Sequence, residues 1–229
     1  MINLVLQLFS RSHFLGCGLL LSLCSAQVAA SCSNTVPMLV RETVLVVSSE
    51  DGTTGSGVVV APNRVLTAAH AVRSGGSLKA KVGGQLVAAH AVSFDIRHDL
   101  ALLALNTAEL PVLDLMARDL EPGENIWVAG HPRGGARQFA FGQVVGPWQN
   151  ALRVTALVEQ GQSGGALLAC EDGQVLLGGT LSGYGAVERN GETLRLPDFS
   201  LAVPVAQLRR FLLSAGVQVA ALSSEARQE

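Results

Sequence analysis

Residues Gly57-Val58-Val59-Val60-Ala61-Pro62-Asn63-Arg64-Val65-Leu66-Thr67-Ala68-Ala69-His70 hold two short β-rich runs, Gly57–Ala61 and Val65–Thr67, joined by turn residues. The second run enters a small-residue stretch, Ala68–Val72, which reads as one helical turn carrying His70. A strand that ends this way places an imidazole at the rim of a barrel. The same strand-and-turn rhythm fills the rest of the chain. Its members are Thr43–Val47, Leu78–Val82, Gln85–Phe94, Leu100–Leu105, Ile126–Gly130, Gln138–Val145, Leu152–Val158, Ala166–Ala169, Val175–Leu181 and Thr193–Leu196. Gly83-Gly84, Asp172-Gly173 and Asn190-Gly191 are hairpin turns, because these residues accept positive φ. One helix is predicted near the end: Pro204 suits a first helical position, Val205, Leu208 and Leu212 share a face, and Gly216 suits the stop.

The expected fold is therefore all-β, two packed six-stranded antiparallel β-barrels with a C-terminal helix. The strand pattern lapses at Asp114–Gly123, which divides a first barrel (about 40–115) from a second (about 120–203) and a terminal helix (about 204–215). There is no repeat of fixed period. Residues 217–229 are polar and read as a flexible tail.

Composition narrows the function classes. With 48% hydrophobic and 15% charged residues the chain collapses into a core and is not disordered. A net charge of −2 leaves no basic excess for binding nucleic acid through phosphates. Four cysteines in 229 residues are too few for a disulfide-built miniprotein.

The first 30 residues contain no Asp or Glu, one basic residue (Arg11), an apolar stretch from Phe14 to Ala26, and the small residues Val28-Ala29-Ala30. This is the layout of a cleaved signal peptide and of a periplasmic or secreted protein. The competing reading is an amino-terminal anchor, whose apolar core falls short of the roughly 20 residues a spanning helix needs. No later segment is long and unbroken enough to span a bilayer. Removing 30 of 229 residues leaves 199 with net charge −3. Cys32 and Cys170 remain. They pair as a disulfide, or Cys32 is the lipidated first residue of an Ala29-Ala30-Ser31-Cys32 box, in which Ala29 stands where Leu is usual.

Gly161-Gln162-Ser163-Gly164-Gly165 reads either as a flexible turn or as a nucleophile with room for substrate. In the second reading Gly161 lets the backbone turn so that the amides of Gly161 and Ser163 point at one developing oxyanion. A serine hydroxyl needs a base. His70, at its rim position, is slightly favoured over His90, His98 and His131. The base needs a carboxylate to fix its tautomer. Asp99, at the head of Leu100–Leu105, is the first candidate, and Asp95 competes. No Cys and His cluster of metal-ligand spacing exists, and no cofactor is expected.

Gly55-Ser56-Gly57-Val58-Val59-Val60, Leu66-Thr67-Ala68-Ala69-His70, Asp99-Leu100-Ala101-Leu102-Leu103 and Gly161-Gln162-Ser163-Gly164-Gly165, in that order, resemble the trypsin-like serine proteases of the chymotrypsin fold. Val128–Gly134 with Phe141–Val145, and Ser200–Pro204, resemble the bacterial high-temperature-requirement branch. The resemblance spans about Thr43 to Leu213. It implies a protease domain over 31–216, with His70 as general base, Asp99 as its carboxylate, Ser163 as nucleophile and an oxyanion hole of the Gly161 and Ser163 amides. The substrate is then a polypeptide, cleaved through an acyl-enzyme. Oligomeric state stays open.

Departures from that family are informative. Its digestive members carry Asp before the nucleophile to hold a newly freed amino terminus. Gln162 cannot form that pair, so zymogen-type activation is not expected. After Leu213 only 16 residues remain, too few for the PDZ domains of the branch. By alignment the pocket floor falls at Leu157 beside Val158, implying an uncharged P1 residue, although both also read as strand core. The wall falls at Thr180–Gly185. Ser182 there matches a family serine that supports the carboxylate, while Gly183 and Tyr184 invert the usual aromatic-glycine order unless a one-residue shift restores it. Two other readings stand beside an active endopeptidase: a silent binding module on a protease scaffold, and a protease whose site a partner must order.

Overall fold

The computed structural model describes Cys32 and residues 36–218, apart from residues 75 and 108. The expected signal segment 1–30, most of the alternative lipidation box and nearly all of the expected tail lie outside the described residues.

A short helix, α1 (Val36–Thr43), leads into the first barrel. That barrel comprises β1 (Val44–Ser48), β2 (Thr54–Ala61), β3 (Arg64–Ala68), β4 (Leu78–Val82), β5 (Gln85–Asp95) and β6 (Leu100–Leu105). Its strands run β1-β2-β3-β6-β5-β4 and close where β1 pairs with β4. The second barrel comprises β7 (Asn125–Gly130), β8 (Gln138–Trp148), β9 (Ala151–Val154), β10 (Ala166–Glu171), β11 (Gln174–Arg189) and β12 (Glu192–Pro204). It closes through β10 on β7. Its order, β7-β8-β9-β12-β11-β10, repeats that of the first barrel, a symmetry that left no period in the sequence. Helix α2 (Val205–Ser214) follows. The expected two antiparallel six-stranded barrels with a terminal helix are thus observed.

Alternation explains the barrel strands. In β4 the pattern Leu-Lys-Ala-Lys-Val buries Leu78, Ala80 and Val82 and exposes both lysines. In β6 both faces are buried, because Ala101, Leu103 and Leu105 fill the first barrel while Leu100 and Leu102 join a core shared with the second barrel and α2. Strands β2 and β3 divide in the same way, Val59 and Val65 facing the first core, Val58, Val60 and Leu66 the shared one. This is why these strands are nearly unbroken apolar runs. Val205, Leu208 and Leu212 are fully buried on that shared core, as their helical spacing predicts.

Each of the three hairpin turns has both residues at positive φ: Gly83-Gly84 at 56° and 88°, Asp172-Gly173 at 51° and 77°, Asn190-Gly191 at 53° and 79°. The expected helical turn at Ala68–Val72 is a single 3-10 turn, Ala69–Ala71.

Four local expectations need correction. The run Leu152–Val158 leaves the sheet after Val154, and Leu157 is exposed. Strand β11 extends well past the predicted Leu181 and β12 well past the predicted Leu196, and the Tyr184–Arg189 and Glu192–Ser200 stretches form a two-stranded ribbon whose outer residues are exposed. Pro204 is the N-cap of α2, with extended ψ of 154°, and Asp119 Oδ1 accepts the Ala206 N–H at 2.8 Å instead. Helix α1 was not predicted. Its inward stripe is Val36 and Val40, and its docking depends on a bond remote in sequence. That bond is the Cys32–Cys170 disulfide, with Cα atoms 5.8 Å apart across 138 positions. Its sulfur is the atom a lipid would occupy, so the lipidated alternative for Cys32 does not hold.

Candidate active site

His70 and Asp99 meet on the first barrel, and the loop of the second barrel that carries Ser163 packs against Ser56, Thr67 and Ala68 of the first. Asp99 sits in the turn between β5 and β6 at φ 56°, a conformation Asp tolerates. Its Oδ2 lies 2.7 Å from His70 Nδ1, and its Oδ1 accepts the His70 backbone N–H at 2.9 Å. Its backbone carbonyl accepts the Ala69 N–H at 3.0 Å. Three contacts therefore fix the imidazole relative to the carboxylate. Because a carboxylate only accepts, the proton of a neutral His70 belongs on Nδ1, leaving Nε2 as the basic nitrogen. The pair is open to solvent, with side chains 43% and 29% exposed, so Asp99 is partly exposed and not buried. Asp95 lies elsewhere. It pairs with His98 at 2.7 Å and meets Gln207 of α2.

Ser163 lies on the loop between β9 and β10, and both barrels hold that loop. From the second, Leu181 accepts the Gly164 N–H at 2.7 Å. From the first, Ser56 N–H donates to the Ser163 carbonyl at 2.8 Å. Gly164 has φ 83°, and a Cβ there would lie 2.2 Å from the Ser56 carbonyl oxygen, so no other residue fits. Among the described residues the Ser163 hydroxyl has one hydrogen-bond acceptor, the Ser182 carbonyl at 3.5 Å, and it does not bond His70.

The peptide between Gln160 and Gly161 has a fixed orientation. The Arg133 N–H donates to the Gln160 carbonyl at 2.8 Å. In a trans peptide the N–H of Gly161 then points the opposite way. Gly161 has φ 91°, and a Cβ there would lie 2.4 Å from Arg133 N. Among the described residues neither the Gly161 nor the Ser163 N–H is spent on a protein acceptor. Ser56 also matters here, donating from Oγ to the Gly161 carbonyl at 2.9 Å while accepting the His131 N–H at 2.8 Å. Ser56 and Arg133 lie in stretches that carry the family resemblance, but sequence reading assigned neither a role, because their contacts form only between distant segments. Gln162 is buried, and its Oε1 accepts the Glu159 N–H at 2.7 Å, so a neutral amide closes this turn locally.

The expected pocket residues separate. Val158 is fully buried, whereas Leu157 is 57% exposed. Ser182 Oγ donates to the Leu201 carbonyl at 3.3 Å and not to Asp99. A Cβ on Gly183 would meet nothing within 4 Å, but one on Gly185 would lie 2.6 Å from the Phe199 ring. The register between β11 and β12 is irregular on both sides of Gly183-Tyr184, where the sequence reading left a one-residue shift open. Arg195, unforeseen, stacks 4.4 Å from the Tyr184 ring centre and donates to the Val158 carbonyl. An arginine thus lies against Tyr184 and Val158, two of the residues expected to line the pocket.

A family model described as a trypsin-like peptidase domain matches residues 55–176, a stretch that includes His70, Asp99 and Ser163. The chain belongs to the trypsin-like peptidase family. Two curated relatives of this trypsin-like peptidase, both named serine proteases (MT3772 and Rv3671c) from Mycobacterium tuberculosis, are 31% identical over 157 residues. The match covers 62% of the chain and 39% of each relative's length. Solved structures share the fold. The Rv3671c protease in its active form superposes with TM-score 0.68 at 21% identity over 94% of this chain and 96% of that one. Its inactive form gives 0.67 at 24% identity, over 80% and 94%. A serine endoprotease from Yersinia pestis gives 0.65 at 23% identity, over 78% and 65%. No helix among the described residues is long and apolar enough to cross a membrane.

Proposed function

We propose that this trypsin-like peptidase is an exported serine endopeptidase that cleaves polypeptides through Ser163, His70 and Asp99. The reading rests on one observation above the others. Asp99 clamps His70 by both ring and backbone, and the loop that carries Ser163 packs on the residues just before His70 with its Gly161 and Ser163 amides unspent among the described residues.

In this mechanism Ser163 Oγ attacks the peptide carbonyl while His70 Nε2 takes its proton. Asp99 keeps the other ring proton on Nδ1 and stabilises the imidazolium. The carbonyl oxygen becomes an oxyanion that receives hydrogen bonds from Gly161 N–H and Ser163 N–H. His70 then protonates the leaving amine, an acyl-enzyme remains on Ser163, and water, activated by the same imidazole, releases the acid. Export is supported by the signal-like residues 1–30 and by the Cys32–Cys170 disulfide, a bond that persists in oxidising compartments.

A specific observation supports a second reading, in which a partner or substrate completes the site. The Ser163 hydroxyl engages the Ser182 carbonyl and must turn toward His70 before reaction. Catalytic hydrogen bonds often tighten only in the substrate complex.

A fluorophosphonate probe tests both readings against a silent binding module. The full-length protein should be labelled and Ser163→Ala should not. Labelling that appears only with added peptide selects the second reading. Absence of labelling under every condition sinks the catalytic assignment.

A further inference from the structure

A cavity of about 750 Å³ lies beside the 131–137 segment. Arg41 of α1, Lys81 of β4 and Arg137 give it a cationic lining, with His131, Leu45 and Leu110 completing the wall. Glu42 is the one acidic residue among its lining. None of Arg41, Lys81 or Arg137 forms an ion pair among the described residues, and Glu42 neutralises none of them. The cluster is conspicuous in a chain that is net negative.

The guanidinium of Arg137 is also held in place. It donates to the backbone carbonyl of Arg41, where partial burial and the neighbouring Arg41 charge both disfavour its protonated form. His131 faces two carbonyls, Gly135 at 2.9 Å from Nδ1 and Val44 at 3.2 Å from Nε2. Three cations against one carboxylate leave a net positive charge in the cavity, and an anion relieves the repulsion among them. The volume suits a small ligand and exceeds what a single water-filled gap needs.

We propose that this cavity is a binding site for a phosphate group, gripped by Arg41, Lys81 and Arg137, and that its occupancy stabilises the oriented peptide of the candidate oxyanion hole. The linkage follows from the segment that forms its wall. His131 N–H is tied to Ser56 Oγ, which bonds the Gly161 carbonyl, and Arg133 N–H holds the Gln160 carbonyl. A ligand that anchors Arg137 fixes the segment delivering both contacts. The binding site stands on its own geometry. The effect on turnover rests on the proteolytic reading above.

Inorganic phosphate titrated calorimetrically into full-length protein carrying Ser163→Ala, at constant ionic strength with chloride as reference anion, tests the site without activity. Saturable one-site binding is expected. Lys81→Gln and Arg137→Gln should each weaken it about tenfold, the scale of one charge-assisted contact. Lys81 is exposed and makes no side-chain hydrogen bond among the described residues, so its replacement should leave the fold intact, and Arg189→Gln on the ribbon should change nothing. No saturation, or binding that both cavity variants leave unchanged (an adventitious ion only), overturns the site.

Sedimentation with phosphatidylglycerol vesicles, against phosphatidylcholine vesicles, separates two sources of the group. Retention on the former that Lys81→Gln reduces assigns a lipid headgroup, and its absence with intact calorimetric binding assigns a free phosphate. In the active protein, saturating phosphate should raise kcat about fivefold or more with little change in KM, within the usual range of site-to-site coupling. Binding with unchanged kcat overturns the linkage alone. Intact binding in a protein that no fluorophosphonate labels overturns the proteolytic reading and leaves the site standing.

Discussion

Ser56 Oγ, on the second strand of the first barrel, donates a 2.9 Å hydrogen bond to the carbonyl of Gly161, which lies 105 positions away on the loop of the second barrel that carries Ser163. Ser56 is fully buried, and its hydroxyl also accepts the His131 N–H. One side chain therefore holds the candidate oxyanion loop against both neighbours.

Ser56→Ala leaves the buried His131 N–H and Gly161 carbonyl without that partner. A loss of about 1–3 kcal/mol in unfolding free energy is expected, read by urea denaturation. Turnover of a peptide substrate should fall more than KM rises, because in the proposed mechanism the loop positions the oxyanion donors. An unchanged kcat would show that Ser56 supports the fold and not the oxyanion loop.

Asp99→Asn keeps the size of the side chain but lets the amide donate to the imidazole, favouring the proton on Nε2. The barrel fold should be retained by circular dichroism, and turnover should fall by about four orders of magnitude. Full activity in this variant, with loss in Asp95→Asn, would reassign the carboxylate.

Joint replacement of Cys32 and Cys170 by serine opens a loop of 138 positions and frees α1 from β10. Stability should fall by roughly 2–4 kcal/mol, lowering Tm by roughly 5–15 °C for a domain of this size. Scanning calorimetry of the variant beside the reduced wild type should give matching shifts.

Acid should destabilise the protein in two separable windows. Burial, followed by the nearby Arg137 and Lys81 charges, holds His131 below its ordinary value of 6.5. The unfolded chain takes up that proton first, so this contribution is complete above 6.5 and is lost as pH falls below it. The hydrogen bonds from Arg118 hold Glu124 below 4.5, so its contribution is present above 4.5 and is lost as pH falls through the lower folded value. In denaturation series across pH, His131→Gln should flatten the upper slope and Glu124→Gln the lower one. Parallel curves for either variant and wild type would remove that residue from the account.

Much of this was legible in the chain itself. Period-two alternation wrote β4, paired glycine-type turns wrote the hairpins, and the spacing of Val205, Leu208 and Leu212 wrote the terminal helix, because each signal is local. Helix α1 and the ribbon of β11 and β12 were not legible, since the one depends on a disulfide and the other on pairing between its own two strands. At the site, residue types and order pointed to His70, Asp99 and Ser163. The contacts of Ser56, Arg133 and Arg195 carry no local mark, and the roles first given to Leu157 and Ser182 changed once the backbone path was known.

The sequence by itself determined a two-barrel β-fold and a short set of candidate chemical groups, because alternation, turn chemistry and nucleophile flanking are properties of neighbouring residues. Only the tertiary structure decided which carboxylate meets which histidine, how the Gln160–Gly161 peptide is turned, and where unpaired cations gather. Those are contacts between segments far apart in the chain, and their free energy exists only once the barrels have folded.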